Sequence, residues 1–93
     1  MTHYIIVKWN NTADKRALSA EVRKLYADAA SIPGVHAVTV KDNITPRDNR
    51  YDIMIALDME EDALTTWDNS ALHKKWKADY GTQIAQKCIF DCE

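Results

Sequence analysis

The first strand predicted in this sequence carries large apolar side chains on both of its faces. Residues 3–9 are rich in the β-branched and aromatic residues that are typical of strands. Because successive side chains of a strand point to opposite faces, one face carries His3, Ile5, Val7 and Trp9, and the other carries Tyr4 and Ile6. An antiparallel sheet with one solvated face would place polar residues on that face. The pattern therefore predicts a sheet with helices on one face and another body, such as a second subunit, on the other.

The size and charge of the chain exclude several classes of protein. Its 93 residues are enough for one domain, predicted here to span 1–93. The net charge is −2 and the twelve Lys and Arg residues are scattered, whereas nucleic-acid binding requires a concentrated basic surface. No apolar run approaches the roughly 20 residues that a membrane helix needs. We therefore expect no nucleic-acid partner and no association with a membrane.

Cys88 and Cys92 are the only cysteines. On one strand they point to the same face, about 13 Å apart at ~3.3 Å per residue. A disulfide needs Cα atoms within roughly 7 Å, and the same separation keeps both sulfurs from one zinc ion. Two unpaired thiols without a secretory leader predict a protein of the reducing cytoplasm that binds no metal. No phosphate loop, dinucleotide fingerprint or nucleophile elbow is present, and we expect no cofactor.

The order of the predicted elements indicates an α+β fold. Apolar residues at helical spacing predict a helix over 12–31, capped by Asn11 or Thr12 and ended by Pro33 and Gly34. A short helix reaching Trp67 and a second one capped by Ser70 follow the third strand. The other predicted strands span 35–41, 51–59 and 86–92. This βαββα(α)β order is the ferredoxin-like split βαβ plan, with a four-stranded antiparallel sheet.

Three segments of the chain carry a resemblance to a known family. They are the opening strand from Thr2 to Trp9, the turn Ile32-Pro33-Gly34-Val35, and the stretch 63–67 with His73 six residues after Trp67. Together they resemble the stress-responsive A/B barrel (Dabb) family over nearly the whole chain. The resemblance implies a homodimer in which two sheets form a shared α+β barrel.

The resemblance also implies a set of candidate site residues. In the polyketide cyclase of the family, two His, one Tyr and one Asp surround the reactive pocket, and these positions match His3, His73, Trp67 and Asp91. Trp67 has no hydroxyl and can only donate a hydrogen bond. His73 lies in the first turn of its helix, where the helix dipole favours the neutral imidazole that acts as a general base. Asp91 is expected to hold its second ring nitrogen. An apolar or aromatic ligand would contact Ile5, Val7, Val22, Leu25, Tyr26, Trp67 and Ile89.

Three functions remain compatible with these residues. The first is binding, or minor conversion, of a small apolar or aromatic ligand in a pocket near His73. The second is a non-catalytic stress or stability protein, in which a His73–Asp91 hydrogen bond only docks a helix. The third is a cofactor-free oxygenase, isomerase or polyketide-cyclase-like enzyme, so the sequence does not decide whether the protein is an enzyme. A filled core favours the second function, and a cavity that reaches His73 favours the other two.

Overall fold

A computed structural model describes residues 1–93 as one four-stranded sheet with helices on one face. The strands are β1 (Thr2–Trp9), β2 (Val35–Asp42), β3 (Ile53–Met59) and β4 (Ile84–Cys92). The helices are α1 (Lys15–Tyr26), α2 (Leu64–Asp68) and α3 (Ala71–Tyr80). Single 3₁₀ turns occur at Ala29–Ser31, Glu61–Ala63 and Gly81–Gln83.

The sheet has the strand order β2-β3-β1-β4, and every neighbouring pair is antiparallel. The strand before α1 is β1 and the strand after it is β2. These two strands are not adjacent in the sheet, because β3 lies between them. This is the split βαβ arrangement, and the predicted α+β ferredoxin-like class with a four-stranded antiparallel sheet is confirmed. β1 lies between β3 and β4, and its buried face, with Ile5, Val7 and Trp9, is directed to the core.

The first helix is shorter than predicted. Asp14, and not Asn11 or Thr12, caps α1, since its carboxylate accepts a hydrogen bond from the backbone N–H of Ala17. The helix ends at Tyr26, and the apolar spacing continues only through the 3₁₀ turn at Ala29–Ser31. The prediction of a continuous helix over 12–31 is therefore wrong at both ends. A single buried residue, Ala29, keeps the periodicity of the pattern beyond the end of the helix.

Gly34 permits the chain to turn into β2. Its φ is +85°, a left-handed conformation that side chains other than glycine rarely adopt. A Cβ atom at this position would also lie 2.5 Å from the Cβ of Ala63. Glycine is thus required here by conformation and by space, and it brings the start of β2 against the turn that precedes α2.

The core lies between the sheet and the helices. Ile5, Val7 and Trp9 of β1 face it, and sixteen apolar residues in all are buried in one continuous cluster. The helix α1 contributes Leu18, Val22 and Tyr26, while α2 and α3 contribute the rings of Trp67 and Trp76. This packing fixes which strand residues face the helices and which do not.

The opposite face of the sheet is uncovered in the single chain. Tyr4 on β1 is paired with Phe90 on β4, and their ring centroids are 6.5 Å apart. Phe90 is 58% exposed, a large value for a phenylalanine in the middle of a strand. Ile6 and Cys88 form the next pair along the same face. An exposed apolar face of this kind favours contact with another body. None of the helices is both long enough and apolar enough to cross a membrane.

Candidate ligand pocket

A pocket of about 150 Å³ opens between the helical layer and the two strands β1 and β4. Two histidines from distant parts of the chain, His3 and His73, both line it. Its apolar surface comes from Ile5, Trp76 and Ile89, and its polar surface is completed by Asp68, Lys77 and Lys87. The fold thus brings together a strand residue near the start of the chain and a helix residue seventy positions later.

His3 is held by Asp91 across the sheet. The two residues are direct cross-strand partners of β1 and β4, and the Nδ1 atom of His3 lies 2.5 Å from a carboxylate oxygen of Asp91. His3 is only 5% exposed, while the side chain of Asp91 is 41% exposed. Because an ionised carboxylate only accepts hydrogen bonds, the Nδ1 atom carries the proton. A buried imidazole is therefore oriented by a carboxylate that remains in contact with solvent.

The prediction of a hydrogen bond between His73 and Asp91 is wrong. The Nδ1 atom of His73 instead lies 3.0 Å from the backbone oxygen of Asp68, at the end of α2. The expected position of His73 is correct, since Ser70 caps α3 and accepts a hydrogen bond from the backbone N–H of His73 at 3.1 Å. A carbonyl oxygen can only accept, so Nδ1 of His73 also carries a proton.

The Nε2 atoms of both histidines are consequently the free ring nitrogens. Neither atom makes a hydrogen bond within the chain. The Nε2 atom of His3 is also not among the buried polar atoms that are sealed from solvent without a partner. His3 is otherwise buried and lines the pocket, which is consistent with access to this nitrogen from the pocket. When its ring is neutral, each histidine therefore has one nitrogen that accepts a hydrogen bond, and both residues line the pocket.

An aromatic cluster forms the wall behind the pocket. The ring of Trp67 packs against His73 with centroids 5.2 Å apart, and against Tyr26 at 5.8 Å. Tyr26 also meets the edge of Trp76 at 5.6 Å. The hydroxyl of Tyr26 and the indole nitrogen of Trp67 are fully buried and have no hydrogen-bond partner. Burial raises the pKa of Tyr26 far above its ordinary value, so its phenol stays neutral.

The predicted site residues are divided between this pocket and the core behind it. His3, His73, Ile5 and Ile89 line the pocket, and Asp91 contacts it through His3. The others do not line it. Val7, Val22, Tyr26 and Trp67 are fully buried in the core, and Leu25 borders a separate groove that is lined by residues of α1 and α3. A ligand contact at these five positions stays a prediction.

Sequence reasoning missed four lining residues, which are Asp68, Trp76, Lys77 and Lys87. A signal for three of them was present. Trp76 and Lys77 follow His73 by three and four residues, and side chains at that spacing share one face of a helix. Lys87 similarly precedes Ile89 by two residues on β4, the spacing that keeps side chains on one face of a strand.

A larger groove of about 580 Å³ lies away from both pocket histidines. Its lining is mostly polar, and its main charges are paired with each other. Lys15 lies 3.1 Å from Asp52, and Arg23 lies 2.7 Å from Asp42. Hydrogen bonding from Arg23 lowers the pKa of Asp42. These pairs tie α1 to the sheet, and we assign the groove no ligand.

Comparison with known proteins identifies the fold of the chain but does not identify its family. No family model matches the chain, and no curated protein sequence matches it. Solved structures do match over nearly its whole length. A dimeric protein of unknown function with a ferredoxin-like fold from Bacteroides fragilis has a TM-score of 0.83 at 14% identity, and the match covers 99% of this chain and 93% of that one.

Two further structures carry more specific descriptions. A Dabb family protein with a ferredoxin-like fold from Mesorhizobium loti has a TM-score of 0.72 at 13% identity, covering 99% of this chain and 93% of that one. The hydroxynitrile lyase from Passiflora edulis has a TM-score of 0.76 at 7% identity, covering 96% and 87%. The chain has a ferredoxin-like fold. The resemblance to Dabb proteins is thereby confirmed at the level of the fold, which hosts proteins of unrelated function.

Proposed function

We propose that this protein is a Dabb-type domain that binds a small apolar or aromatic ligand in the pocket beside His3 and His73. The observation that carries the proposal is the pocket itself. A small domain with a completely filled core would have no space at these two histidines, whereas about 150 Å³ is present between them and Ile5, Trp76 and Ile89. Three apolar side chains next to several polar groups allow the pocket to bind a ring and to orient a polar substituent on it.

The volume of the pocket limits the ligand to roughly one ring. An apolar cavity of about 150 Å³ is known to accept a single benzene molecule, while most sites for drug-sized ligands measure about 300–1,000 Å³. A bicyclic or long-chain ligand would therefore extend beyond the pocket. For a ligand of roughly ten non-hydrogen atoms, we expect a Kd of about 0.1–1 mM.

The proposal is tested by titrating the protein with 4-nitroanisole, a single ring without a hydrogen-bond donor. Quenching of tryptophan fluorescence reports its approach, because Trp76 lines the pocket. NMR shifts should concentrate at Ile5, Ile89 and the start of α3. Saturation without shifts at these residues would place the ligand elsewhere and contradict the proposal.

A matched pair of variants on β4 separates pocket binding from surface binding. Ile89→Trp adds bulk to a half-exposed residue that lines the pocket, and it should reduce affinity at least about tenfold, a loss of ~1.4 kcal/mol. Gln86→Trp adds bulk to an exposed residue on the opposite face of the same strand and should leave affinity unchanged. Equal affinity for both variants would mean that the pocket is not the binding site.

We also propose that the functional unit is a homodimer formed through the uncovered sheet face. Tyr4, Ile6 and the 58% exposed Phe90 give that face its apolar character, and similar folds include proteins described as dimeric. Light scattering at micromolar concentration should give twice the chain mass of 10.6 kDa. Phe90→Glu should shift the population towards monomer, and a monomeric wild type would refute the shared barrel.

The two free thiols support a cytoplasmic location, where they would remain reduced.

A further inference from the structure

We infer that the pocket selects a ring that carries a hydroxyl group, and that His3, rather than His73, accepts the hydroxyl proton. This inference rests on the proposed ligand site and specifies the chemistry of its occupant. It differs from the expectation from the sequence, which assigns the role of base to His73. The hydrogen bonds of the two rings carry the argument.

Each of the two histidines that line the pocket has one ring nitrogen that needs a hydrogen-bond donor while the ring is neutral. Both rings use Nδ1–H inside the protein, His3 towards Asp91 and His73 towards the Asp68 carbonyl. Each therefore presents a bare Nε2 atom, which can only accept a hydrogen bond while the ring is neutral. An apolar ring alone would leave these acceptors without partners once water is displaced, and that costs binding free energy. A hydroxyl on the ring supplies such a donor from the ligand itself.

The partners of the two rings differ in charge, and this difference assigns the proton. A carboxylate on Nδ1 of His3 stabilises the imidazolium that forms when Nε2 takes a proton. Nδ1 of His73 meets an uncharged carbonyl, and its ring lies in the first turn of α3, where the helix dipole disfavours a cation by ~0.3–1 kcal/mol. Proton transfer therefore favours His3.

The step is a simple proton transfer. The O–H bond of the bound phenol breaks, an N–H bond forms at Nε2 of His3, and a phenolate–imidazolium ion pair results. Lys77 and Lys87 line the same pocket, and their ammonium groups favour the phenolate, whereas the carboxylate of Asp68 opposes it. Asp91 keeps its charge and its hydrogen bond to His3 throughout.

The probe that tests this inference is 4-nitrophenol, whose ionised form absorbs visible light and whose neutral form does not. 4-Nitroanisole is the matched control, because it has the same ring with the hydroxyl hydrogen replaced by methyl. At a pH at which free 4-nitrophenol is mostly protonated, binding should produce the phenolate band. The phenol should bind at least about tenfold more tightly than the anisole, a difference of ~1.4 kcal/mol.

Glutamine variants of the two histidines assign the proton acceptor. His3→Gln removes the imidazole but leaves an amide N–H that can donate to Asp91, and it should abolish the phenolate band. His73→Gln retains a donor for the Asp68 carbonyl and should keep the band. Asp91→Asn, at a side chain 41% exposed, keeps the hydrogen bond without the charge and should weaken the band even if His3→Gln fails to fold.

The outcomes distinguish this inference from the proposed function. Equal affinity for phenol and anisole would refute the selection of a hydroxyl while leaving a ligand pocket in place. A band that is lost in His73→Gln and persists in Asp91→Asn would assign the proton to His73 and overturn the role of His3. Failure of both probes to bind would refute the proposed function and this inference together.

Discussion

The hydrogen bond between His3 and Asp91 predicts a specific energetic coupling between the two ends of the chain. Removing Asp91 leaves the Nδ1–H group of a 5% exposed imidazole without an acceptor. A hydrogen bond to a charged group contributes about 1.5–3 kcal/mol, but the 41% exposure of the Asp91 side chain screens the pair and lowers this value. We expect a coupling of about 1 kcal/mol.

The measurement is a double-mutant cycle of His3→Ala and Asp91→Ala by urea unfolding, followed by far-UV circular dichroism. Protomer concentration must be fixed, because unfolding of a dimer depends on it. The double variant should lose about 1 kcal/mol less than the sum of the single losses. The matched cycle of His73→Ala with Asp91→Ala should be additive within ~0.3–0.5 kcal/mol, since these residues do not bond. Additivity in the first cycle, or coupling in the second, would refute the assignment of Asp91 to His3.

Three further predictions concern stability. Gly34→Ala should destabilise the fold by about 2–4 kcal/mol in chemical unfolding, because the position combines a φ of +85° with a close contact, whereas Gly81→Ala, with open space around it, should change stability by less than ~1 kcal/mol. Tyr26→Phe should not destabilise the fold, since the hydroxyl of Tyr26 is buried without a hydrogen-bond partner. Burial raises the pKa of Tyr26, so the stability of the wild type should fall as the pH rises above ~10. The variant should lose part of that pH dependence. Hydrogen bonding from Arg23 lowers the pKa of Asp42, so this pair stabilises the fold above pH ~4 and the contribution should vanish on acidification; Arg23→Gln should flatten that part of the stability curve.

The sequence predicts the sheet better than the first helix. The two-residue period of a strand separates the side chains of β1 into two faces without any tertiary information, and Ser70 marks the start of α3 by its local capping chemistry. The end of α1 is different. Tyr26 is followed by a turn, yet Ala29 is buried in register with the helix, so periodicity alone cannot distinguish a continuing helix from a 3₁₀ turn packed on the same core.

The partner of Asp91 could not be derived from sequence for a physical reason. Its neighbour is fixed by the register between β1 and β4, and shifting an antiparallel pair by one residue moves every side chain to another partner. The register depends on the packing of Ile5 against Ile89 and of Tyr4 against Phe90, which are contacts between opposite ends of the chain. Helix placement is equally non-local, and it directs Nδ1 of His73 to the Asp68 carbonyl instead.

β4 links the ligand pocket to the proposed dimer interface. Lys87, Ile89 and Asp91 face the helices, while Cys88 and Phe90 alternate with them on the uncovered face. β4 is an edge strand, so only β1 holds it in the single chain. A partner packed on Phe90 would restrict the strand that carries Asp91, and Asp91 in turn orients His3. In the proposed dimer, contacts on the face that carries Phe90 therefore also support the hydrogen bond between Asp91 and His3. The orientation of His3 at the pocket depends on that hydrogen bond.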